Sequence, residues 1–348
     1  MIKHIKKFLR FFAAAIITLF LFEIYFQTTE ISLPSTVQDD STFGRSFRPN
    51  ERINLIRESF YMGKVNKYGY LGPAYGIKKP ENTIRIALIG DSFVEGIQVA
   101  DKFHFRNILE QELKAQVNDK LIEVLNFGRS GLDFRKMYIH YELLAKKYNP
   151  DIVFIFVNES DFRTKDNNLG PDLKLTKNDK LEIDFGFVNS KQFQNKIKSA
   201  YLRNFSMYSL LQADYANYSS GNTFKILLDK FYYTNSKNNE EETVTKYNFD
   251  NDEFANLNEL ILKSLSTDSS GTRFMIVPID KMSERYNQLI SKYAIEIAAL
   301  TNVYNNLEKQ GINPFYWNAT NKYGHWNQQA HNYIGNYLAN YILAKHYY

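Results

Sequence analysis

The stretch that decides the fold is Ile84-Arg-Ile-Ala-Leu-Ile-Gly-Asp-Ser-Phe-Val-Glu-Gly96. Its first six residues are mostly apolar and predict a buried strand, which stops abruptly at Gly90-Asp91-Ser92. A polar turn that contains glycine follows. Ligands of open α/β sheets bind at the carboxyl ends of the strands. We therefore interpret Ser92 as a candidate nucleophile, because its hydroxyl lies at the ligand-binding end of a strand.

Apolar runs alternate with helical patterns in the rest of the chain. Further strands are expected at Ile122–Phe127, Ile152–Val157 and Thr272–Pro278. Helical spacing predicts helices at Phe103–Leu113, Arg135–Tyr148, Gln192–Tyr215, Asp252–Leu265, Lys281–Gln310 and Gln328–Tyr347. This rhythm predicts an α/β fold, a three-layer α/β/α sandwich with a mostly parallel central sheet.

The chain divides by composition into an anchor, a strap and a domain. Of its 348 residues 44% are hydrophobic, which is enough for a packed core. We assign residues 1–29 to a membrane segment and 30–83 to an extended strap that packs on the domain, with Gly63–Pro73 as a hairpin or an extended piece. The α/β domain is expected at 84–348, with a helical and loop insertion at about 163–270. Within the insertion, Arg163–Lys191 is expected to be loop and short hairpin, and Asn235–Lys246 a solvated segment.

The amino terminus predicts a location. Lys3, Lys6, Lys7 and Arg10 precede the apolar run Phe11–Phe22. Positive charge before an apolar helix predicts that the amino terminus stays in the cytoplasm. Because no small-x-small cleavage site follows, we favour an uncleaved single-pass signal-anchor over a cleaved signal, with a peripheral amphipathic helix as the other alternative. The rest of the chain is then extracytoplasmic.

Charge and cysteine content exclude several classes. The net charge is +5 and the basic residues are dispersed, so the sequence argues against a nucleic-acid partner. The absence of cysteine excludes disulfides, cysteine metal sites and thiol catalysis. We expect neither a cofactor nor a metal site.

Four polar segments at predicted strand ends or next to the last helix can converge on one edge of the sheet: Gly90–Ser92, Asn126–Gly128, Asn158–Asp161 and Gly324–Asn327. Ser92 would be the nucleophile and His325 the base. The backbone N–H groups of Ser92 and Gly128 could form an oxyanion hole, with a side chain from 158–161 as a third donor.

These segments together resemble a known superfamily. The segments Ile-Gly-Asp-Ser-Phe-Val-Glu-Gly, Asn-Phe-Gly-Arg-Ser-Gly, Pro-Asp-Ile-Val-Phe-Ile-Phe-Val-Asn-Glu-Ser-Asp and His-Trp-Asn-Gln-Gln-Ala-His resemble blocks I, II, III and V of the SGNH/GDSL hydrolases, in that order. The chain is most similar to membrane-anchored bacterial members that handle acyl groups on polysaccharides. The resemblance implies a flavodoxin-like strand order.

The resemblance also implies roles for particular residues. Ser92 takes the place of the nucleophile, Gly128 of the oxyanion glycine and His325 of the base. Asn158 falls on the family's block III glycine and Ser160 on its oxyanion asparagine. Either side chain could complete the oxyanion hole, Asn158 only if the loop shifts.

The support behind the histidine departs from the family pattern. An aspartate usually stands two or three residues before the histidine, but here those positions are Tyr323 and Lys322. The substitutes that we considered are Asn318, Asn321, a backbone carbonyl and a carboxylate from elsewhere in the chain. A Ser-His dyad is the remaining alternative.

We therefore expect an extracytoplasmic serine esterase that acts on acyl esters, acetyl above all, of a surface or exported glycan. Its partners would be that glycan and the cytoplasmic membrane. One alternative is a glycan O-acyltransferase that uses the same site. Another is a catalytically impaired scaffold that binds glycan in an envelope assembly, which the missing aspartate and the altered block III favour.

Overall fold

The central feature of the molecule is a sheet of five strands that all run parallel. The computed structural model describes residues 2–29, 35–56, 58–163, 169–176, 178, 180–211 and 252–348. Part of the predicted helix at 192–215 and all of 235–246 lie outside the described residues.

The strands are β1 (Val37–Asp40), β2 (Gly44–Phe47), β3 (Arg52–Ile56), β4 (Phe60–Lys64), β5 (Thr83–Ile89), β6 (Leu121–Asn126), β7 (Ile152–Val157), β8 (Asp172–Leu175), β9 (Leu181–Asp184), β10 (Arg273–Pro278), β11 (Glu296–Ile297), β12 (Tyr316–Trp317) and β13 (Lys322–Tyr323). The helices are α1 (Ile2–Thr29), α2 (Ser92–Glu95), α3 (Phe105–Gln116), α4 (Phe134–Leu143), α5 (Lys191–Lys198), α6 (Asp252–Ser266), α7 (Glu284–Lys292), α8 (Thr301–Lys309) and α9 (Gln328–Ala344). A further helical stretch occupies residues 206–211.

The order of strands in the sheet is β6-β5-β7-β10-β11. In chain order of these five strands this is 2-1-3-4-5, the flavodoxin-like arrangement of a doubly wound sheet. The predicted α/β fold with a parallel sheet is therefore confirmed. Because β7 is buried on both faces, its sequence is a continuous apolar run without alternation. Strand β5 is also buried throughout, and its one charged residue, Arg85, pairs with Glu123 of β6.

Alternate residues of β5 point into two separate cores, which makes the three layers. Ile86 and Leu88 pack in the core that α3, α8 and α9 cover. Ala87 and Ile89 pack in the opposite core, which α4, α6 and α7 cover. Successive side chains of a strand point to opposite faces of the sheet, so alternate residues enter the core on each side.

The chain divides into two units. One, the anchor unit, contains residues 1–38 and 194–248, and the other, the sheet unit, contains 39–193 and 249–348. Most of the predicted strap therefore belongs to the sheet unit. Val65 and Tyr70 of the strap are buried, and Leu71 forms an isolated bridge with Asn126 at the end of β6. The strap is thus fastened to the same sheet edge that carries Ser92.

Two short hairpins from different parts of the chain belong to the sheet unit. Strands β3 and β4 pair antiparallel, with Ile56 opposite Phe60, and β12 and β13 pair with Tyr316 opposite Tyr323. Strands β8 and β9 form another antiparallel hairpin within 163–191, where a short hairpin was predicted.

The prediction of one helix at Lys281–Gln310 is wrong. The segment forms α7, the edge strand β11 and α8. Ala294 has φ of 53°, a left-handed conformation that ends the helical path. Ile297 then pairs with Ile276 of β10, which adds a fifth strand that is too short to show a strand pattern in the sequence.

Candidate active site

Ser92 lies at the first residue of α2, directly after the central strand β5. The Asp91 carboxylate caps this helix, because its Oδ1 accepts the N–H of Phe93 at 2.9 Å. The turn needs a glycine at position 90. A Cβ there would lie 2.5 Å from Val94 Cγ2 and 3.0 Å from Phe156 Cβ. The sequence therefore folds into a tight strand-to-helix turn that carries the hydroxyl to the sheet edge.

His325 faces this hydroxyl. Its Nε2 is 2.7 Å from Ser92 Oγ, although the two residues are 233 positions apart. The next residue, Trp326, is fully buried, and the indole N–H of Trp317 donates to the His325 carbonyl at 2.9 Å. The ring of Phe93 lies 4.9 Å from the imidazole, centroid to centroid. These contacts hold the imidazole between the serine and the β12–β13 hairpin.

The other ring nitrogen of His325 meets a carboxylate from the strap. His325 Nδ1 is 2.8 Å from Glu58 Oε1. Glu58 lies in the turn between β3 and β4, and both side chains are largely shielded, with 19% of His325 and 13% of Glu58 exposed. A carboxylate only accepts hydrogen bonds, so Nδ1 carries the proton and Nε2 is free to accept the proton of Ser92.

Burial alone would raise the pKa of Glu58, but the hydrogen bond from His325 and the attraction of the imidazole hold it below its usual value. Glu58 therefore stays a carboxylate in the neutral range. A charged acceptor behind Nδ1 fixes the tautomer and stabilises an imidazolium when Nε2 takes a proton.

Two further contacts fix the position of Glu58. Thr320 Oγ1 donates to the Glu58 carbonyl at 2.5 Å, which ties the β3–β4 turn to the loop before β13. Gly324 provides the space for the carboxylate. A Cβ at this position would lie 2.4 Å from Glu58 Oε1 and 2.5 Å from Cγ, closer than atoms can approach. The glycine next to the histidine thus admits the acid from the other hairpin.

The predicted histidine partners Asn318 and Asn321 require correction. Both side chains are exposed, and Asn321 Oδ1 accepts the hydroxyl of Tyr316 at 3.2 Å. Glu58 holds the position against Nδ1 for which these two residues were among the alternatives. The alternative of a carboxylate from elsewhere in the chain matches the observed contact.

Gly128 packs directly against the helix that carries the serine. A Cβ at Gly128 would lie 2.3 Å from the backbone nitrogen of Glu95. Its own N–H donates to Asn126 Oδ1 at 2.9 Å, and Asn126 Nδ2 donates to the Val94 carbonyl at the same distance. The expected oxyanion donor at Gly128 is therefore engaged by Asn126, and the glycine serves close packing.

Asn158 and Ser160 occupy different environments. Asn158 Nδ2 lies 3.4 Å from Asp91 Oδ2, beside the residue that precedes the serine, and its N–H donates to Asp161 Oδ2 at 2.7 Å. Ser160 is exposed. The structure thus brings Asn158 next to the turn that holds Ser92.

Asp161, which accepts the N–H of Asn158, has several other acidic side chains nearby. Burial raises the pKa of Asp161 to about 8, and the nearby charges of Asp91, Asp133 and Asp280 add to the effect, which the N–H of Asn158 only partly offsets. Burial also raises the pKa of Asp91. No group of three or more histidine, cysteine or acidic side chains in the described ranges has a geometry that could hold a metal ion.

Two other histidines support the site from behind. His104 Nε2 donates to the Val94 carbonyl at 3.1 Å, and its Nδ1 accepts the N–H of Arg106. Its ring lies 4.9 Å from that of His331, whose Nδ1 accepts the N–H of Phe105. Burial lowers the pKa of His331 to about 3, so it stays neutral. Both residues are buried and hydrogen-bonded to the backbone, which is a structural role.

The sequence did not identify Glu58. It lies 267 positions before His325, outside every block of the resemblance. The available signal was indirect. The missing acid at positions 322 and 323 left a carboxylate from another element as one of several alternatives, but did not say which residue would provide it.

Comparisons with known proteins give similarity at the level of structure. No family model matches the chain, and no curated protein sequence matches it. A protein of the G-D-S-L family, assigned as lipolytic, from Desulfitobacterium hafniense is 13% identical, over 74% of this chain and 98% of its own, with a TM-score of 0.35.

Two esterases of known structure are similar to the same degree. The acetyl xylan esterase AlAXEase is 13% identical over 74% of this chain and all of its own, with a TM-score of 0.38. An acetylxylan esterase from Geobacillus stearothermophilus is 12% identical over 74% of this chain and 94% of its own, with a TM-score of 0.37. Because these identities and TM-scores are low, only the residues of this chain can support a statement about the chemistry of the site.

Proposed function

We propose that this chain is a serine esterase of the SGNH/GDSL type, with Ser92 as nucleophile, His325 as general base and Glu58 as the acid that orients the base. The observation that carries the proposal is the continuous relay from Ser92 Oγ to His325 Nε2 at 2.7 Å and from His325 Nδ1 to Glu58 at 2.8 Å. A hydroxyl, an imidazole and a carboxylate in this order activate a serine on several unrelated folds.

The chemistry follows from the relay. Ser92 Oγ attacks the ester carbonyl while His325 Nε2 takes its proton, and Glu58 stabilises the imidazolium. The tetrahedral intermediate expels the alcohol, which receives that proton from His325, and leaves an acyl group on Ser92. Water then attacks the acyl-enzyme with His325 as base, which releases the acid and restores the serine.

The oxyanion needs donors next to Ser92. The N–H of Ser92 is at the first residue of a helix, where backbone donors have no intrahelical acceptor. Asn158 Nδ2 is a side-chain donor beside this turn, since it lies 3.4 Å from Asp91 Oδ2. We assign the oxyanion hole to these two groups, because Gly128 gives its N–H to Asn126.

For the substrate we propose an acyl ester of a glycan, acetyl above all. Tyr323 directly precedes Gly324-His325 and is 72% exposed, and its ring lies 4.9 Å from that of Tyr316. Phe60, two residues after Glu58, is 49% exposed. Flat aromatic faces beside a reactive centre suit the C–H faces of sugar rings, since they bury apolar area without requiring charge.

For the location we propose a single-pass anchor with the sheet unit outside the cytoplasm. Helix α1 is long and apolar enough to cross a bilayer. The basic residues before Phe11 support an amino terminus on the cytoplasmic side.

The decisive experiment uses the full chain in detergent or nanodiscs with p-nitrophenyl acetate. We expect turnover that Ser92→Ala abolishes, and labelling of Ser92 by a fluorophosphonate, mapped by mass spectrometry. Ser270→Ala, at an exposed position, is the matched control. No turnover together with no labelling of Ser92 would contradict the proposal and favour the scaffold.

Hydrolysis and transfer share this acyl-enzyme, so one further measurement distinguishes them. Labelling of Ser92 with turnover only after addition of a glycan acceptor would identify an O-acyltransferase. Glu58 provides the carboxylate that the sequence lacks before His325, and this contact supports the enzyme over the scaffold alternative.

A further inference from the structure

Helix α1 carries one acidic side chain at the end of its apolar run, and the chain satisfies it internally. Glu23 follows Phe11–Phe22 and precedes Ile24-Tyr25-Phe26. Its carboxylate accepts the N–H of Ser206 at 2.7 Å and the N–H of Met207 at 3.1 Å, and Gln27 Nε2 donates to it at 2.7 Å. A carboxylate near a bilayer is costly unless it is hydrogen-bonded, and these donors reduce that cost.

The donors are the first N–H groups of the 206–211 helical stretch, which have no acceptor within their own helix. A second contact lies close by, since the N–H of Ser35 donates to the Arg203 carbonyl at 3.1 Å. The segment at 194–211 is therefore fastened beside the carboxyl-terminal end of α1, within the anchor unit. Glu23 lies six residues before the end of α1, about 9 Å along the helix axis, a depth that suits the headgroup region.

The composition of this segment fits a lipid surface. Its exposed large apolar residues are Ile197, Tyr201, Phe205 and Leu211, which are 43–63% exposed. Residues 194–211 contain three basic side chains, Lys196, Lys198 and Arg203, and no acidic one. Apolar and aromatic side chains with basic neighbours are typical of segments that lie in the plane of a membrane interface.

We propose that residues 194–211 form a second membrane contact, an interfacial segment that lies in the headgroup region of the bilayer that α1 crosses and that prefers anionic lipids. Glu23 links the two elements, so the anchor sets the depth of the segment. Continuity with α1 identifies the bilayer as the partner of the exposed apolar residues. The inference concerns membrane docking and does not depend on the esterase activity.

The chain contains no cysteine, so single-cysteine variants report one position each. In the experiment, the full chain is labelled with an environment-sensitive fluorophore through Tyr201→Cys or Phe205→Cys. The labelled chain is placed in nanodiscs of phosphatidylcholine with or without phosphatidylglycerol. Leu121→Cys is the control, since Leu121 is 58% exposed but lies in the sheet unit. We expect a blue-shifted emission at 201 and 205, with about twofold quenching by lipids labelled near the headgroup and less by deeper labels.

Two variants test the roles of Glu23 and of the basic side chains in holding the segment at the membrane. Glu23→Gln should reduce the quenching at 201, because a neutral amide holds the N–H groups of Ser206 and Met207 less well. Combined Lys196→Glu and Lys198→Glu should remove the additional quenching that phosphatidylglycerol produces. Circular dichroism spectra and thermal unfolding that match the parent chain check that both variants fold.

Emission at 201 and 205 that matches the Leu121→Cys control, without quenching by lipid, would overturn the proposal. Shielding of these positions only after addition of glycan or of another protein would also overturn it, and would assign the surface to that partner.

Discussion

Glu58 and His325 are 267 positions apart in the chain, and yet Glu58 Oε1 lies 2.8 Å from His325 Nδ1. The acid comes from a hairpin of the strap, before the first strand of the sheet, while the histidine comes from the loop before the last helix. The strap is therefore part of the catalytic apparatus that we propose. Its buried residues Val65 and Tyr70 anchor it, so the position of the acid depends on how the strap packs.

The first prediction concerns Glu58 itself. Glu58→Gln keeps the shape but removes the charge, and the amide can present its NH₂ to Nδ1, which disfavours the productive tautomer. We expect kcat to fall by about 10²–10⁴-fold with little change in KM. The measurement is steady-state hydrolysis of p-nitrophenyl acetate by the full chain.

Glu81→Gln is the control for this series, because Glu81 belongs to the same strap but is exposed. Glu58→Asp should retain more activity than Glu58→Gln, because it keeps the charge at a longer distance. Equal kcat values for Glu58→Gln and the parent chain would show that His325 works without this carboxylate, as a Ser-His dyad.

The second prediction concerns Gly324. A methyl group at this position would lie 2.4 Å from Glu58 Oε1, so Gly324→Ala must displace the carboxylate or the hairpin that carries it. We expect a loss of kcat similar to that of Glu58→Gln, about 10²-fold or more. Gly76→Ala is the control, since its Cβ would meet only Tyr68 OH, at 3.4 Å.

A double-mutant cycle separates this cause from general damage. If Gly324→Ala acts by displacing Glu58, then adding it to Glu58→Gln should cost little more activity. Additive losses would show that Gly324 matters for another reason, such as the conformation of His325.

The fold, and the choice of Ser92 and His325 for the proposed relay, could be predicted from the sequence because their signals are local. The apolar runs of β5 and β7 and the turn at Gly90-Asp91-Ser92 each occupy a few consecutive residues. The two-residue strand β11 has no such pattern, and its pairing with β10 depends on tertiary contact.

The role of Glu58 and the hydrogen bond of Gly128 have no such local signal. Glu58 lies in a hairpin turn whose place over Gly324 is set by packing between distant segments. From the sequence alone, the Gly128 N–H was available as an oxyanion donor. In the folded loop this N–H donates to Asn126 Oδ1, a hydrogen bond that the sequence does not reveal.

The third prediction concerns pH and stability. The pKa of Asp161 is about 8 in the folded chain, mainly because the side chain is buried, against 3.8 for an ordinary aspartate. Between pH 3.8 and about pH 8, the Asp161 carboxyl group is deprotonated in the unfolded chain but stays protonated in the folded chain. Raising the pH from about 4 to 8 therefore favours unfolding through this group, and above 8 the whole effect is present.

Asp161→Asn removes this titration and keeps an acceptor for the N–H of Asn158. We expect the variant to be more stable than the parent at pH 9, by roughly 1–3 kcal/mol, and similar to it at pH 5. Thermal unfolding of the full chain in detergent at both pH values measures this, with the exposed Asp119→Asn as control. A stability difference that does not depend on pH would contradict the raised pKa.

The fourth prediction distinguishes the two candidates for the oxyanion donor. Asn158 contacts Asp91 beside the serine, whereas Ser160 is exposed on the next turn. If Asn158 Nδ2 donates to the developing oxyanion, Asn158→Ala should lower kcat by about 10²–10³-fold, while Ser160→Ala should change it little. Fluorophosphonate labelling should slow in the same order, since the phosphoryl oxygen occupies the oxyanion position.

Asn158→Asp adds a second test, because it keeps the size of the side chain but replaces the donor with an acceptor beside Asp91. We expect its kcat to be no higher than that of Asn158→Ala, and the loss to be greatest where the new carboxyl group is ionised. If Ser160→Ala instead gave the large loss and Asn158→Ala the small one, the loop would have to rearrange on substrate binding, and the alignment with the family's asparagine would identify the donor correctly.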